Sequence, residues 1–259
     1  MEKGEHTIDR PAEIGEEVVV RIQGLKKAFG KNEVLRGFNM DVHKGENVMV
    51  LGKSGSGKSV LIKCIIGLLA PDAGIVEVLG QDMLALKHEA LDEMRVRIGF
   101  LFQSNALYDS MTVRENLEFP MRRHFVKLGA AERHDRVMQA LADVSLEQTV
   151  DLMPSELSGG MRKRIGLART LIMRPEIVLY DEPTTGLDPI TGREIVELML
   201  DLQREYGISS ILISHDLNVA KLAANRVIVL HEGIAHAQGT FDELMHSTDP
   251  VVRRFFYSL

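Results

Sequence analysis

The stretch Gly52-Lys53-Ser54-Gly55-Ser56-Gly57-Lys58-Ser59 fits G-x-x-x-x-G-K-[ST] at every fixed position, a pattern that cradles a polyphosphate when it lies between a strand and a helix. Both flanks agree: residues 46–51 (ENVMVL) read as a short buried strand, and residues 59–69 (SVLIKCIIGLL) have the apolar density of a helix packed on a sheet. Glycines in such a turn let successive backbone N–H groups face inward around negative charge. The free N–H groups of the helix N-terminus, carrying roughly half a positive charge, act on the same phosphates. Lys58 supplies a full charge to the β- and γ-phosphates of a nucleotide, and Ser59 a hydroxyl for Mg²⁺. The expected binding segment is Gly52, Lys53, Ser54, Gly55, Ser56, Gly57, Lys58 and Ser59, together with Val60.

At 259 residues the chain can bury a sizeable core, and it suits one composite α/β domain better than two independent units. A net charge of −6 offers no broad basic field for counterion release, so nucleic acid is not an expected partner. The single cysteine, Cys64, lies in the apolar run after the glycines and reads as a small core residue of a cytosolic chain. Residues 1–17 are polar, read as a flexible tail, and lack the apolar segment of a signal peptide. No run approaches the ~18 apolar residues that span a bilayer, so any work at a membrane is expected to depend on another chain.

Two strand-type runs, VVVRIQGL and VLRGFNMDV, flank Gly30-Lys31-Asn32 and predict antiparallel strands over residues 18–42. Pro71-Asp72-Ala73-Gly74 is a turn before the strand IVEVLG. Residues 88–97 read as a helix and 98–102 as a strand ending at Gln103. The character then changes: two helical patterns (VRENLEFPM and AERHDRVMQALADV) and no strand mark an inserted helical lobe. Met161, Ile165, Ala168 and Ile172 recur at helical spacing in a helix that Pro175 stops. Within it, Arg162-Lys163-Arg164 reads as a solvated face, with a phosphate contact as the alternative. The strand IVLY, a helix over 189–206 and the strand ISSILIS follow, and this alternation predicts a mostly parallel sheet covered on both faces. RVIVL and GIAHAQG predict a closing hairpin, and two short helices the end. The expected divisions are a core over residues 18–103 and 168–244 that begins with an antiparallel β-subdomain, a helical lobe over 104–167, and a C-terminal helix or tail over 245–259.

Residues 177–180 deliver Asp181 and Glu182 to the end of a buried strand, the edge at which open α/β sheets bind ligands. Asp181 is placed to hold Mg²⁺. Glu182 is placed to orient or deprotonate an attacking water, a role worth about 10²- to 10⁴-fold.

With these residues the chain resembles the ATP-binding-cassette (ABC) ATPases over about residues 18–244, and LSGGM at 157–161 is similar to that family's signature L-S-G-G-Q. The resemblance implies a P-loop NTPase with a RecA-like core, an ATPase activity, and ATP and Mg²⁺ as cofactors. It implies a head-to-tail homodimer in which Ser158, Gly159 and Gly160 of one copy cap the ATP held by the P-loop of the other. Met161 stands where the family usually has Gln. Gln103 matches the glutamine that links the nucleotide site to the helical lobe and senses Mg²⁺ or water, Phe29 the aromatic that stacks on adenine, Asp188 the loop that crosses the dimer interface, and His215 the switch histidine at the γ-phosphate. The implied catalytic set is Glu182, His215, Gln103 and Lys58; the implied metal set is Ser59, Gln103 and Asp181.

The runs GKSVLIKCIIGLL, LFQSNALYDSMTVRENLEFPM and LMPSELSGGMRKR, with DPVVRRF near the end, are similar to the ATPases of bacterial phospholipid transporters, the Mla (maintenance of lipid asymmetry) and Mce-associated systems. That likeness implies a peripheral ATPase on the cytoplasmic side of the inner membrane, driving a permease that exchanges lipid with a periplasmic Mce-type protein. A small accessory subunit is compatible with it, and a cassette for polar solutes such as amino acids is the alternative. The permease is expected to dock near Gln103 and residues 104–110, where Ala106, Leu107 and Tyr108 offer apolar surface or fill the chain's own core. A DNA-repair cassette would need a long coiled-coil insertion or a second cassette, and a regulatory module without turnover would not need Glu182 and His215.

Overall fold

A computed structural model describes residues 14–104 and 106–257; residues 1–13 of the expected tail, Asn105 and residues 258–259 lie outside the described residues. The alternating apolar positions of the first 30 residues it covers pair as β1 (Val18–Phe29) and β2 (Asn32–His43) about the turn at Gly30-Lys31. β3 (Asn47–Leu51), buried at every position, runs into the glycine-rich turn and α1 (Lys58–Ile65). The apolar run predicts a helix to residue 69, but α1 stops at Ile65. Gly67 takes a φ of 67°, the Leu68 N–H donates to the Lys63 carbonyl at 2.9 Å and the Gly67 N–H to the Cys64 carbonyl at 3.1 Å, a left-handed closure that glycine adopts without strain.

β4 (Ala73–Val78) adds to β1, and the two-residue β5 (Gln81–Asp82) completes an antiparallel sheet in the order β2-β1-β4-β5. α2 (His88–Val96) and β6 (Ile98–Leu101) follow. α3 (Val113–His124), α4 (Ala130–Ala142) and two short 3-10 turns make a strandless helical segment. α5 (Gly159–Leu171) leads back to β7 (Ile177–Asp181), α6 (Pro189–Tyr206), β8 (Ser209–Ser214), α7 (Leu217–Ala223) and the hairpin β9 (Arg226–His231) and β10 (Ile234–Gly239). α8 (Phe241–Met245) and α9 (Pro250–Phe256) close the described chain.

The second sheet runs β10-β9-β3-β8-β7-β6, parallel except for β10. Its alternating side chains serve two cores. Met49, Leu51, Val178, Tyr180, Leu212, Val227 and Val229 face the core shared with α3, α4, α5 and α6. Val48, Val50, Ile177, Leu179, Ile211, Ile213, Ile228 and Leu230 face the core shared with α1 and the antiparallel sheet. This is the P-loop NTPase fold with an antiparallel N-terminal sheet and an inserted helical lobe.

One expectation fails inside the lobe. Arg162-Lys163-Arg164 is not a solvated face, because α5 is hemmed in by α3, α4, α6 and β6 at once. Lys163 is 1% exposed. Arg162 donates to the Leu157 carbonyl at 2.6 Å, and Arg164 pairs with Glu194 at 3.2 Å.

Candidate active site

β3, β8, β7 and β6 are neighbours in that order, with Leu51 opposite Ser214, Asp181 opposite Ile213 and Leu101 opposite Tyr180. The residues that follow these strands, Gly52, His215, Glu182 and Gln103, therefore emerge at one carboxyl edge. A cavity of about 620 Å³ opens there, lined by Val34, Lys53, Ser54, Gly55, Gly57, Lys58, Ser59, Val60, Gln103, Asp181, Glu182, Thr185 and His215.

The cradle leaves no room for side chains where the chain crosses itself. A Cβ at Gly52 would lie 2.6 Å from Ser56 Oγ, and one at Gly57, whose φ is 105°, 2.8 Å from Val34 Cγ1. Ser56 Oγ is buried and finds no hydrogen-bond partner among the described residues, an orphan suited to an oxygen-rich ligand. Lys58, 7% exposed, donates to the Gly52 carbonyl at 2.7 Å and the Lys53 carbonyl at 3.2 Å, with its Nζ 3.5 Å from Glu182 Oε1.

Ser59 Oγ donates to Asp181 Oδ2 at 3.4 Å. Burial pushes the Asp181 carboxyl above its ordinary range and the charge of Glu182 adds to the push, while Ser59, Lys58 and Lys63 oppose it. A carboxylate destabilised in this way gains from a divalent cation. Among the described residues no group of three or more His, Cys, Asp or Glu side chains is arranged to hold a metal ion by itself. The hydroxyl of Ser59 and the carboxylate of Asp181 are a sparse, all-oxygen donor set of the kind that suits Mg²⁺ shared with phosphate and water.

Glu182 sits at φ 48°, and its N–H donates to the Ile213 carbonyl at 2.9 Å, which continues the β7–β8 ladder by one residue. Its carboxylate accepts from Ser214 Oγ at 3.0 Å and lies 3.0 Å from His215 Nδ1. Glu182 and His215 are thus a contacting pair, with the Glu182 side chain 12% exposed and that of His215 67% exposed.

Other expected residues lie outside that cavity wall. Phe29 is half-exposed at the end of β1, with Lys27 Nζ 5.6 Å from its ring centroid. Ser158 caps α5 by accepting from the Met161 N–H at 3.2 Å, and Ser158 and Gly159 are exposed. Asp188 caps α6, accepting from the Ile190 and Thr191 N–H groups at 3.1 and 3.0 Å. Gly160 approaches that same first turn, since a Cβ there would lie 2.9 Å from Thr191 Cγ2. Ser158 to Gly160 and the start of α6 therefore share one face.

Sequence reasoning missed three features. Ser214 and Thr185 reach Glu182, Ser214 through the β7–β8 register. Lys163 is buried with its Nζ 3.1 Å from the Gln103 carbonyl; burial pushes its ammonium down to about 8, and the charge of Asp181 resists that. α9, the last of the two short helices expected at the end, brings Arg254 and Phe255 to a second cavity that shares Lys53, Glu182, Thr185 and His215 with the first; a run of seven residues gives no signal of which surface it packs on.

Near Gln103, Ala106, Leu107 and Tyr108 all line a groove, and Leu107 is half-buried. Leu107 packs on the main core. Tyr108 is 42% exposed, its ring centroid 4.8 Å from that of Phe119 and 4.7 Å from the Arg169 guanidinium carbon. The groove, lined also by Phe102, Pro120, Arg169 and Met173, runs between the lobe and the core. Buried Asn116 pins this segment, accepting from the Tyr108 N–H at 2.8 Å and donating to the Tyr108 and Met111 carbonyls.

A model of the ABC transporter family matches residues 35–185. Among curated proteins, the chain is 37% identical, over 92% of its length and 68% of the relative's, to the probable ribonucleotide transport ATP-binding protein mkl of Mycobacterium leprae. It is 38% identical to the methionine import ATP-binding protein MetN of Rhizobium etli, over 86% of this chain and 61% of that one. It is 36% identical to the chloroplastic protein trigalactosyldiacylglycerol 3 of Arabidopsis thaliana, over 95% of this chain and 76% of that one. The chain thus spans about two thirds of the length of several curated relatives. Among solved structures, cbiO1 of Clostridium perfringens, part of the ABC transporter complex cbiONQ, superposes with a TM-score of 0.82 at 29% identity, covering 93% of this chain and 96% of that one. The ATP-binding cassette MJ0796, in a dimeric post-hydrolysis state with ADP and Pi, superposes with a TM-score of 0.77 at 32% identity, covering 86% and 98%.

Proposed function

The chain belongs to the ABC transporter family and is an ATP-hydrolysing cassette; from that premise we propose that it powers a membrane permease that moves phospholipid between the inner and outer membranes of a bacterial envelope. The observation that carries the lipid assignment is the 36% identity, over 95% of this chain, to a relative named for a galactose-bearing diacylglycerol lipid. The motif runs around Gln103 and Leu157 support it by their likeness to Mla-type ATPases. The methionine-import relative, 38% identical over 86% of the chain, favours a second reading, a cassette for polar solutes such as amino acids.

ABC cassettes form dimers and work with permeases, and the residues of this chain fit that use. Lys58 and the backbone N–H groups of the Gly52–Ser59 turn bind the β- and γ-phosphates of ATP. Phe29 offers its exposed ring to adenine. Asp181 and Ser59, with Gln103, hold a Mg²⁺ ion, which when bound neutralises charge on the β- and γ-phosphate oxygens. Glu182 takes the proton of the attacking water, and His215, touching Glu182, holds its carboxylate towards the γ-phosphate. Ser158, Gly159 and Gly160, with Asp188 beside them, meet the ATP of a second copy. Hydrolysis removes the bridging γ-phosphate, the two copies separate, and lobes gripping the permease turn that separation into a stroke.

The chain works peripherally at the cytoplasmic face of the inner membrane; no described helix is long and apolar enough to cross a bilayer. The permease supplies the attachment, docking a helix in the groove beside Tyr108, and a periplasmic Mce-type protein receives or delivers the lipid. Tyr108→Glu is the probe, since Leu107, which also lines the groove, packs in part against the core and a charge there would disturb both. Tyr108→Glu is expected to stay folded and hydrolyse ATP alone, but to lose co-purification with the permease. In proteoliposomes holding the complete complex, ATP should drive transfer of a fluorescent phospholipid to acceptor vesicles, and Glu182→Gln should stop it. Transport of methionine with no lipid transfer in the same vesicles would overturn the lipid reading and leave the polar-solute one.

A further inference from the structure

Lys163 is a buried cation that the site described above does not use. Its side chain is 1% exposed, it has no carboxylate within ion-pair distance among the described residues, and its Nζ donates to one described acceptor, the Gln103 carbonyl, at 3.1 Å. An ammonium has three donors, and burying it against a single neutral oxygen is costly. If the position only needed filling, an apolar side chain of similar shape would serve better, since replacing buried charge in that way is often neutral or stabilising.

The two ends of this bond belong to different ATP sites. Lys163 is on α5, whose capping residue Ser158 and whose Gly159 and Gly160 are read as meeting the ATP of a second copy. Gln103 lines the cavity of its own P-loop and opens the segment leading into the lobe. α5 spans lobe and core as a single helix packed on α3, α4, α6 and β6, so a displacement of the Gln103 backbone is carried to its N-terminus. We propose that Lys163 is a positioning residue that couples the two ATP sites of the dimer, tying the signature end of α5 to the backbone of Gln103 so that occupancy of one site is felt at the other. This rests on the head-to-tail reading given above.

The test compares the full-length chain with Lys163→Met, which keeps length and burial without the donor, and Lys163→Arg, which keeps charge and donors. Melting temperature, affinity for a fluorescent ATP analogue without Mg²⁺, and steady-state hydrolysis against ATP concentration are read for each. Lys163→Met should melt no lower than the parent and bind the analogue within a few-fold. Its kcat should fall about tenfold, in the range of typical site-to-site coupling, and its Hill coefficient should drop towards one, with Lys163→Arg restoring most of both. A Lys163→Met chain that hydrolyses ATP with unchanged kcat and Hill coefficient would overturn the proposal. So would a parent chain without cooperativity. If Lys163→Met fails to fold, Lys163→Gln takes its place, and loss of folding there as well makes the residue structural and ends the proposal. Failure of the head-to-tail reading is distinguished by a mixed dimer with Lys58→Ala in one copy and Ser158→Arg in the other: if each copy's lesion stays in its own site, that reading falls whatever Lys163 does.

Discussion

Glu182 is held against a backbone preference: a non-glycine residue at φ 48° stores on the order of 1–3 kcal/mol of strain. The Ile213 carbonyl, Ser214 Oγ and the His215 ring fix it from three directions. Glu182→Gln preserves shape and can still meet Ser214, but it removes the proposed base. Turnover is expected to fall about 10²- to 10⁴-fold with ATP affinity nearly unchanged, so the variant should collect as an ATP-bound dimer in size-exclusion chromatography; near-normal phosphate release would exclude Glu182 from the chemistry. The residues legible in the sequence are those whose neighbours in space are neighbours in the chain, such as Lys58 and Ser59 in one turn, or Asp181 and Glu182 at one strand end. Ser214 was illegible because only the β7–β8 register brings it to Glu182. The burial of Lys163 is not legible in the sequence, because three successive charges look solvated when the surroundings of their helix are unknown.

Elements were legible in proportion to their length and their end signals. α6 runs over the residues its pattern predicts because Asp188 caps it, Pro189 opens it and Gly207 ends it in the left-handed region. The apolar run to residue 69 overstates α1, which Gly67 closes, and β5 and α7 are too short to carry a period. The lobe shows what a cap contributes. α3 begins with a reciprocal pair, the Glu115 N–H donating to Thr112 Oγ1 at 3.2 Å and the Thr112 N–H to Glu115 Oε2 at 2.8 Å, and it buries Val113, Leu117 and Met121 in the main core. Thr112→Ala leaves that apolar face intact and removes one acceptor, so it should cost about 1 kcal/mol, read as a lower denaturant midpoint at constant slope. A loss several times larger would mean that the cap organises the lobe rather than finishing one helix.

At the scale of the whole molecule, the catalytic cavity and the signature do not meet in one copy. Ser158 and Gly159 are exposed, Gly160 lies against the first turn of α6, and none of the three lines the cavity that holds Lys58, Asp181 and Glu182. The alternation of strands and helices predicts the layers; the separation of these two surfaces is implied only by family resemblance, because a relation between copies leaves no spacing within a chain. If the second surface completes the first in a partner copy, Lys58→Ala and Ser158→Arg each damage both sites of a homodimer. Lys58→Ala removes the buried cation proposed to bind the phosphates, and Ser158→Arg places a long side chain where α5 begins. A mixed dimer with Lys58→Ala in one copy and Ser158→Arg in the other has a different geometry. The P-loop lesion of the first copy and the signature lesion of the second fall on the same ATP, and the other ATP meets two intact surfaces. Nucleotide trapping should therefore show one competent site and one dead site, with hydrolysis exceeding that of either homodimeric variant. If both sites are equally impaired in the mixed dimer, each copy completes its own site and the head-to-tail arrangement is wrong for this chain.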